Sequence, residues 1–270
     1  MSFNDAVLIA DQDEPPVSFA HDHGKAPVVL TCDHASRAVP RALGNLGLTD
    51  DLLARHIGWD IGVAMVTRRL APLLDAPAVL CGYSRLVIDC NRYLADPTSM
   101  VEVSDGVTVP GNADLGAEAR LARQASIFAP YHAAIAARIT ALRATGIAPA
   151  VISIHSFTPV MRGFQRPWHI GVLWDGDGRI ALPLLDALRA EPGLVVGDNE
   201  PYTGRDPTGY TQRHHALDQG LPHVEVEIRQ DLIGDDAGAA EWADRLARLF
   251  KPILASPDLY MAIQPPPPHS

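Results

Sequence analysis

Short, almost wholly apolar runs separated by stretches of helical periodicity constrain this chain more than any other feature. Pro27–Cys32 (PVVLTC), Pro77–Cys81, Leu86–Cys90 (LVIDC), Val151–Ile154, Trp168–Trp174 (WHIGVLW), Leu194–Val196 and Pro222–Ile228 (PHVEVEI) each read as a buried strand. Between them, Ile61, Val63, Val66, Leu70, Leu73 and Leu74 recur at helical spacing, and Ala117–Thr145 reads as one long helix of strong formers. Asp50 or Asp51 caps a short helix over Leu52–His56, Ile180–Leu188 and Ala237–Phe250 are amphipathic, and Thr211–Gln219 begins on a Thr cap. Strands that are apolar on both faces need cover on both faces. The alternation therefore predicts an α/β fold, a mostly parallel or mixed sheet between two helical layers.

The 270 residues, 47% of them apolar, suffice for one large core, and no repeat or interior linker divides them. Residues 1–255 read as one domain and 256–270 as a Pro-rich tail, with PPPP at 265–268 of polyproline type. A formal net charge of −10 without a Lys/Arg cluster argues against nucleic-acid binding. No window is long and apolar enough to span a bilayer, and the start resembles no secretory signal. The three cysteines (Cys32, Cys81, Cys90) sit inside strand-like runs, as expected of buried thiols in a cytoplasmic protein.

Polar groups gather where the strands end. His34 follows PVVLTC directly, His155 closes the VISI run, and Arg85, Asn91 and Arg92 flank LVIDC. The carboxyl edge of a parallel sheet is where ligands and chemistry collect. A lone His at such a place is more often a core imidazole bonded to a loop; several together open a metal site. Alternation in VEVEI puts Glu225 and Glu227 on one face, with Val224, Val226 and Ile228 on the other. A buried carboxylate is costly unless paired or metal-linked, so Glu225 is read either as an ion pair with Arg229 or the closing helix, or as functional. Glu227, nearest the strand's end, is read as functional.

The motifs CDHAS (32–36), HIGWDIG (56–62), YSRLVIDCNR (83–92), SDGVTVPGN (104–112), VISIHSFTP (151–159), DNEPY (198–202) and LPHVEVEIRQDLI (221–233) resemble, in content and order, the N-formylglutamate amidohydrolase family. Shorter pieces (IHSF, EIRQ, CNR) are similar to zinc carboxypeptidases. The resemblance implies a single-domain, three-layer α/β/α sandwich of the phosphorylase/hydrolase type. It also implies a Zn2+ or other divalent transition-metal cofactor and a small N-acyl amino acid substrate.

Carried over residue by residue, the resemblance makes His34 and His155 metal ligands, Glu227 the general base, and Asn91 with Arg92 the clamp on the substrate's carboxylate. Position 37, where carboxypeptidases place a ligating Glu, is Arg37. The missing carboxylate is then expected from Asp60 in the WDIG motif, with Asp33 behind it; a helix cap is the other reading of Asp60. His215 matches a family His that polarises the carbonyl, binds substrate or packs. Arg85 either steadies an oxyanion or pairs with Asp89.

Overall fold

The computed structural model describes residues 8–206 and 208–264. A mixed seven-stranded sheet runs through the molecule, built from β1 (Val17–Ala20), β2 (Val28–Cys32), β3 (Ala78–Cys81), β4 (Ala150–Phe157), β5 (Ile170–Leu173), β6 (Val196–Asp198) and β7 (His223–Arg229) in the spatial order β1-β3-β2-β4-β7-β5-β6. The run β3-β2-β4-β7 is parallel, whereas β1 joins its edge antiparallel and β5 pairs antiparallel with β7. Helical segments are α1 (Asp50–Leu53), α2 (Val63–Leu74), α3 (Ala117–Arg123), α4 (Ala129–Arg143), α5 (Ala181–Arg189), α6 (Thr211–His215) and α7 (Asp236–Leu254).

Strand alternation divides the core in two. Val28, Leu30, Ile152, Ile154, Val224, Val226 and Ile228 point to one face, where α2, α5 and α7 pack with Leu70, Leu184, Trp242 and Phe250 fully or nearly buried. Each such side chain contributes roughly 1.5–3 kcal/mol on burial. On the opposite face Val29, Val79 and Val151 meet Ile127, Tyr131, Ile135 and Ile139. That second layer covers β3, β2 and part of β4, and the face over β4, β7 and β5 opens into a cleft. The layers are those of an α/β sandwich.

Several local expectations are corrected. Leu86–Cys90 is not a strand: the Ser84 hydroxyl and the Asp89 carboxylate accept the backbone N–H groups of Leu86 and Asn91, replacing a ladder with side-chain bonds. Its apolar residues are nonetheless buried in the second core. The long helix predicted over 117–145 is broken by a π-helical turn at Gln124–Phe128. The extra residue lets both Arg123 and Tyr131 face inward. Thr49, not Asp50 or Asp51, caps α1. The Thr211 side chain does not cap α6; its hydroxyl donates instead to Asp33 (2.7 Å). The chain beyond 255 is docked as far as Ile263, with Leu259 buried and the Ile263 amide bonded to Gly220; the PPPP stretch lies outside the described residues. No described helix is long and apolar enough to cross a membrane.

Candidate active site

Three adjacent parallel strands deliver the site. β2 runs into Asp33 and His34, β4 carries His155, and β7 carries Glu227 directly opposite His155. Asp60 arrives from the segment before α2, where its amide donates to the His34 carbonyl (3.0 Å). It does not cap that helix, whose first turn begins after Gly62. Gly62 has φ +87°, and a Cβ there would lie 2.2 Å from the Ile233 carbonyl, so only glycine fits this approach.

His34, Asp60 and His155 offer ligand atoms that all lie within 4.8 Å of one another, and all three residues are buried. His155 Nδ1 sits 2.9 Å and His34 Nδ1 3.3 Å from the same Asp60 Oδ2. The other ring nitrogens also face carboxylates: His34 Nε2 meets Asp89 (2.7 Å) and His155 Nε2 meets Asp33 (2.9 Å). Four contacts to acceptors require four N–H groups, but two neutral imidazoles supply only two. Without a metal the four contacts are met only if both rings are imidazolium; a cation among the two Nδ1 atoms and Asp60 would take the place of the two inner protons, leaving each Nε2–H donating to its outer carboxylate. The residues therefore fit a divalent metal ion.

The electrostatics run the same way. Burial opposes charge on His155, but Glu225 and the bonded carboxylates of Asp33 and Asp60 lift it well above the ordinary imidazole range. His34 is raised, Asp89 and Asp60 outweighing burial and Arg85. Against its own burial, Asp33 is held down at about 2 by His155 and His34, with the Thr211 hydroxyl also bonded to it. Tyr131 donates to the same carboxylate (2.8 Å).

Glu227 is the exception. It is 5% exposed, burial pushes its carboxyl up to about 8, and its Oε2 has no hydrogen-bond partner among the described residues. A buried carboxyl with one oxygen unengaged, beside a metal-capable cluster, is suited to taking and returning a proton.

A cavity of about 200 Å3 opens in front of this group, lined by His155, Glu225 and Glu227 on the sheet and by Arg85, Arg92 and Arg213 among its cations. A second cavity of about 280 Å3 adjoins it, sharing Asp60, Arg85, Arg92, Ser156 and Tyr202. Arg85 donates to Asp89 through Nε and Nη2 (3.2 and 2.8 Å) and to Asp60 through Nη1 (3.4 Å). Arg92 donates to the Asn91 carbonyl (2.8 Å). The Asn91 side-chain oxygen accepts the amides of Tyr210 and Thr211 (2.9 and 3.0 Å), which ties the Asn-Arg segment to α6.

His215 is not among the residues lining either cavity; it is 1% exposed and its Nε2 lies 2.9 Å from His132 Nδ1. His132 Nε2 must donate to the Cys90 carbonyl (2.9 Å), so in the neutral pair His132 Nδ1 accepts and His215 Nε2–H donates. Burial lowers both imidazoles, His132 to about 4 and His215 to about 3.

Sequence reasoning did not assign Asp89 to His34, nor single out Tyr131, Tyr202 or Arg213. Asp33, next to His34 in the chain, was the one outer partner with a local signal. Tyr202 closes the DNEPY motif and lines both cavities, where Arg166 stacks on its ring and donates to its hydroxyl (3.2 Å).

An α/β fold with this family match is that of a hydrolase acting on amide bonds. The N-formylglutamate amidohydrolase family model matches residues 26–234, and the chain belongs to that family. A solved structure of the gene product Atu2144 from Agrobacterium tumefaciens is 37% identical, with a TM-score of 0.88 over 92% of this chain and 98% of that one. The N-formylglutamate amidohydrolase of Ralstonia eutropha JMP134 shares the fold, with 20% identity and a TM-score of 0.57 over 88% of this chain and 97% of its own. No curated protein is significantly similar in sequence.

Proposed function

We propose that the protein hydrolyses the N-formyl bond of N-formyl-L-glutamate in a zinc-dependent reaction, releasing formate and L-glutamate. The observation that carries this reading is the convergence of His34 Nδ1 and His155 Nδ1 on one Asp60 oxygen, beside the partnerless Oε2 of Glu227. A zinc ion held by His34, Asp60 and His155 would supply Lewis acidity, lowering the pKa of water toward about 7 and polarising the amide carbonyl.

The remaining steps belong to the chain. Glu227 accepts the proton of the attacking water and returns it to the leaving amine; a cation held at the neighbouring cluster would favour the ionised carboxylate that this step needs. Arg92 receives the substrate's α-carboxylate by charge-assisted bonds. Arg85, fixed between Asp60 and Asp89 yet facing the cavity, steadies the oxyanion, a role worth about 3–4 kcal/mol. Asn91 acts through its hold on α6, and His215 through packing on His132.

The test is formate release from N-formyl-L-glutamate by the metal-loaded protein, before and after chelation and re-addition of zinc. Loss on chelation and return with zinc are the expected results; undiminished turnover after chelation, or none with metal present, overturns the reading. A second reading, hydrolysis of a larger N-acyl amino acid, is favoured by the adjoining 280 Å3 cavity, which exceeds what a formyl group needs. N-acetyl-L-glutamate and short N-acyl peptides in the same assay decide between them.

A further inference from the structure

We infer that Arg213 selects for an acidic amino acid by receiving its side-chain carboxylate, at the end of the cleft away from the metal-capable cluster. The inference rests on the hydrolytic reading above and assigns its specificity to one residue.

The cleft follows one face of β7, where His223, Glu225 and Glu227 all line it. Four residue steps span roughly 13 Å, with Glu227 and His155 at one end and His223 at the other. β5 pairs antiparallel, Leu173 opposite Glu225, so the chain beyond Leu173 runs back toward the His223 end and brings Asp175 there. Arg213 lies within 3.6 Å of Asp175 and lines the same cleft. From the amide carbon of an extended N-formylglutamate to its distal carboxylate is five bonds, ~6 Å. That reach covers about half of the ~13 Å trough, so with the α-carboxylate near Arg92 the distal acid points along it and the Arg213 side chain, which lines the same cleft, must extend in from the other end.

The three guanidinium groups of the cleft are differently engaged. Arg85 is bonded to Asp60 and Asp89, and Arg92 keeps one nitrogen on the Asn91 carbonyl. The Nη2 of Arg213 is buried without a hydrogen bond among the described residues; it lies 3.6 Å from Asp175 as an ion-pair neighbour, and Nη1 lies 3.8 Å from Asp218. A buried cationic donor left unbonded is costly, and a ligand carboxylate removes that cost. The group is also held in place. Thr211 is fastened to Asp33, and Gln212 donates to Ser153 (2.7 Å) and to the Val224 carbonyl (3.0 Å), so the turn bearing Arg213 is anchored to the sheet. Asn91 accepts two amides of that same turn, so Arg92 and Arg213 form one rigid pair of anion receptors.

The test compares wild type, Arg213→Met and Arg213→Lys on N-formyl-L-glutamate and on N-formyl-L-norvaline, which keeps the side-chain length without the acid. Wild type should prefer the glutamate substrate by roughly 10- to 100-fold in kcat/KM. Arg213→Met should collapse that ratio toward one, chiefly through KM, and Arg213→Lys should restore part of it. An unchanged ratio, or an equal loss on both substrates, overturns the assignment. Calorimetric binding of L-glutamate and L-norvaline to zinc-loaded protein gives an independent readout. If neither formyl substrate is cleaved, the hydrolytic reading falls, while equal L-glutamate affinity in wild type and Arg213→Met is what removes Arg213 from recognition.

Discussion

Glu227 stands directly opposite His155 in the parallel pairing of β7 with β4, and both residues line the same cleft. The register fixes the distance between Glu227, the proposed proton acceptor, and the metal-capable imidazole through rigid backbone on both sides. Replacement of Glu227 by Gln should therefore lower kcat about 10^2- to 10^4-fold in a formate-release assay. Thermal stability should be unchanged or higher, since Glu227 Oε2 makes no bond that Gln would break. A fall in stability with activity intact would remove Glu227 from the chemistry.

Asp33 tests how the imidazole is oriented. Its Oδ2 faces His155 Nε2, and its Oδ1 accepts from Tyr131 and Thr211. In Asp33→Asn the amide oxygen can still receive the two hydroxyls, but the amide nitrogen then opposes His155 Nε2–H. Two donors cannot share that contact, so the ring proton is driven to Nδ1, the atom that would bind the metal. Zinc affinity, measured by competition with a chelating dye, should fall about 10- to 100-fold in a folded protein.

What could be read from the chain follows strand geometry. His34, His155 and Glu227 are each the polar residue at or near the end of an apolar run, and a period of two places them without tertiary information. Asp60 needed the family likeness, because it comes from an irregular segment whose position depends on Gly62 passing close to Ile233. Asp89 was legible as a partner of Arg85 but not of His34, and Tyr131 and Arg213 could not be seen. They lie on turns and helices whose placement is decided by packing, and LVIDC has the same apolarity whether it enters a ladder or a buried turn. The π turn in the long helix was equally silent, since its cause is the inward demand of both Arg123 and Tyr131.

The His132–His215 pair makes stability depend on pH. Both imidazoles are lowered by burial, to about 4 and about 3, while in the unfolded chain they titrate near 6.5. Below pH 6.5 the unfolded state binds protons that the folded state refuses, so stability is complete above 6.5 and is lost as pH falls toward 4. Each ring adds at most ~1.4 kcal/mol per pH unit to that slope. Urea unfolding between pH 7 and 4.5 should show the loss, and the slope should drop by up to two protons in a His132→Gln, His215→Gln double variant. An identical slope in the variant would mean that the rings do not resist protonation.

Arg123 holds together the segment that carries Asp89 and Arg92. Its guanidinium donates to the Val87 carbonyl (2.9 Å), Asn112 Oδ1 (2.6 Å) and the Gly111 carbonyl (2.8 Å), and Asn112 in turn donates to the carbonyls of Leu86 and Val101. No strand ladder stabilises residues 86–112 against the sheet, so these bonds do that work. Arg123→Met keeps the buried stem but leaves three acceptors without their donor, at about 1 kcal/mol or more each. Stability should fall by roughly 3 kcal/mol, and Tm, read by calorimetry, by about 6–12 °C. Because Arg92 rides on this segment, KM for the substrate should rise at temperatures where the variant is still folded. A large Tm loss with KM unchanged would show that Arg123 secures the fold without positioning the clamp.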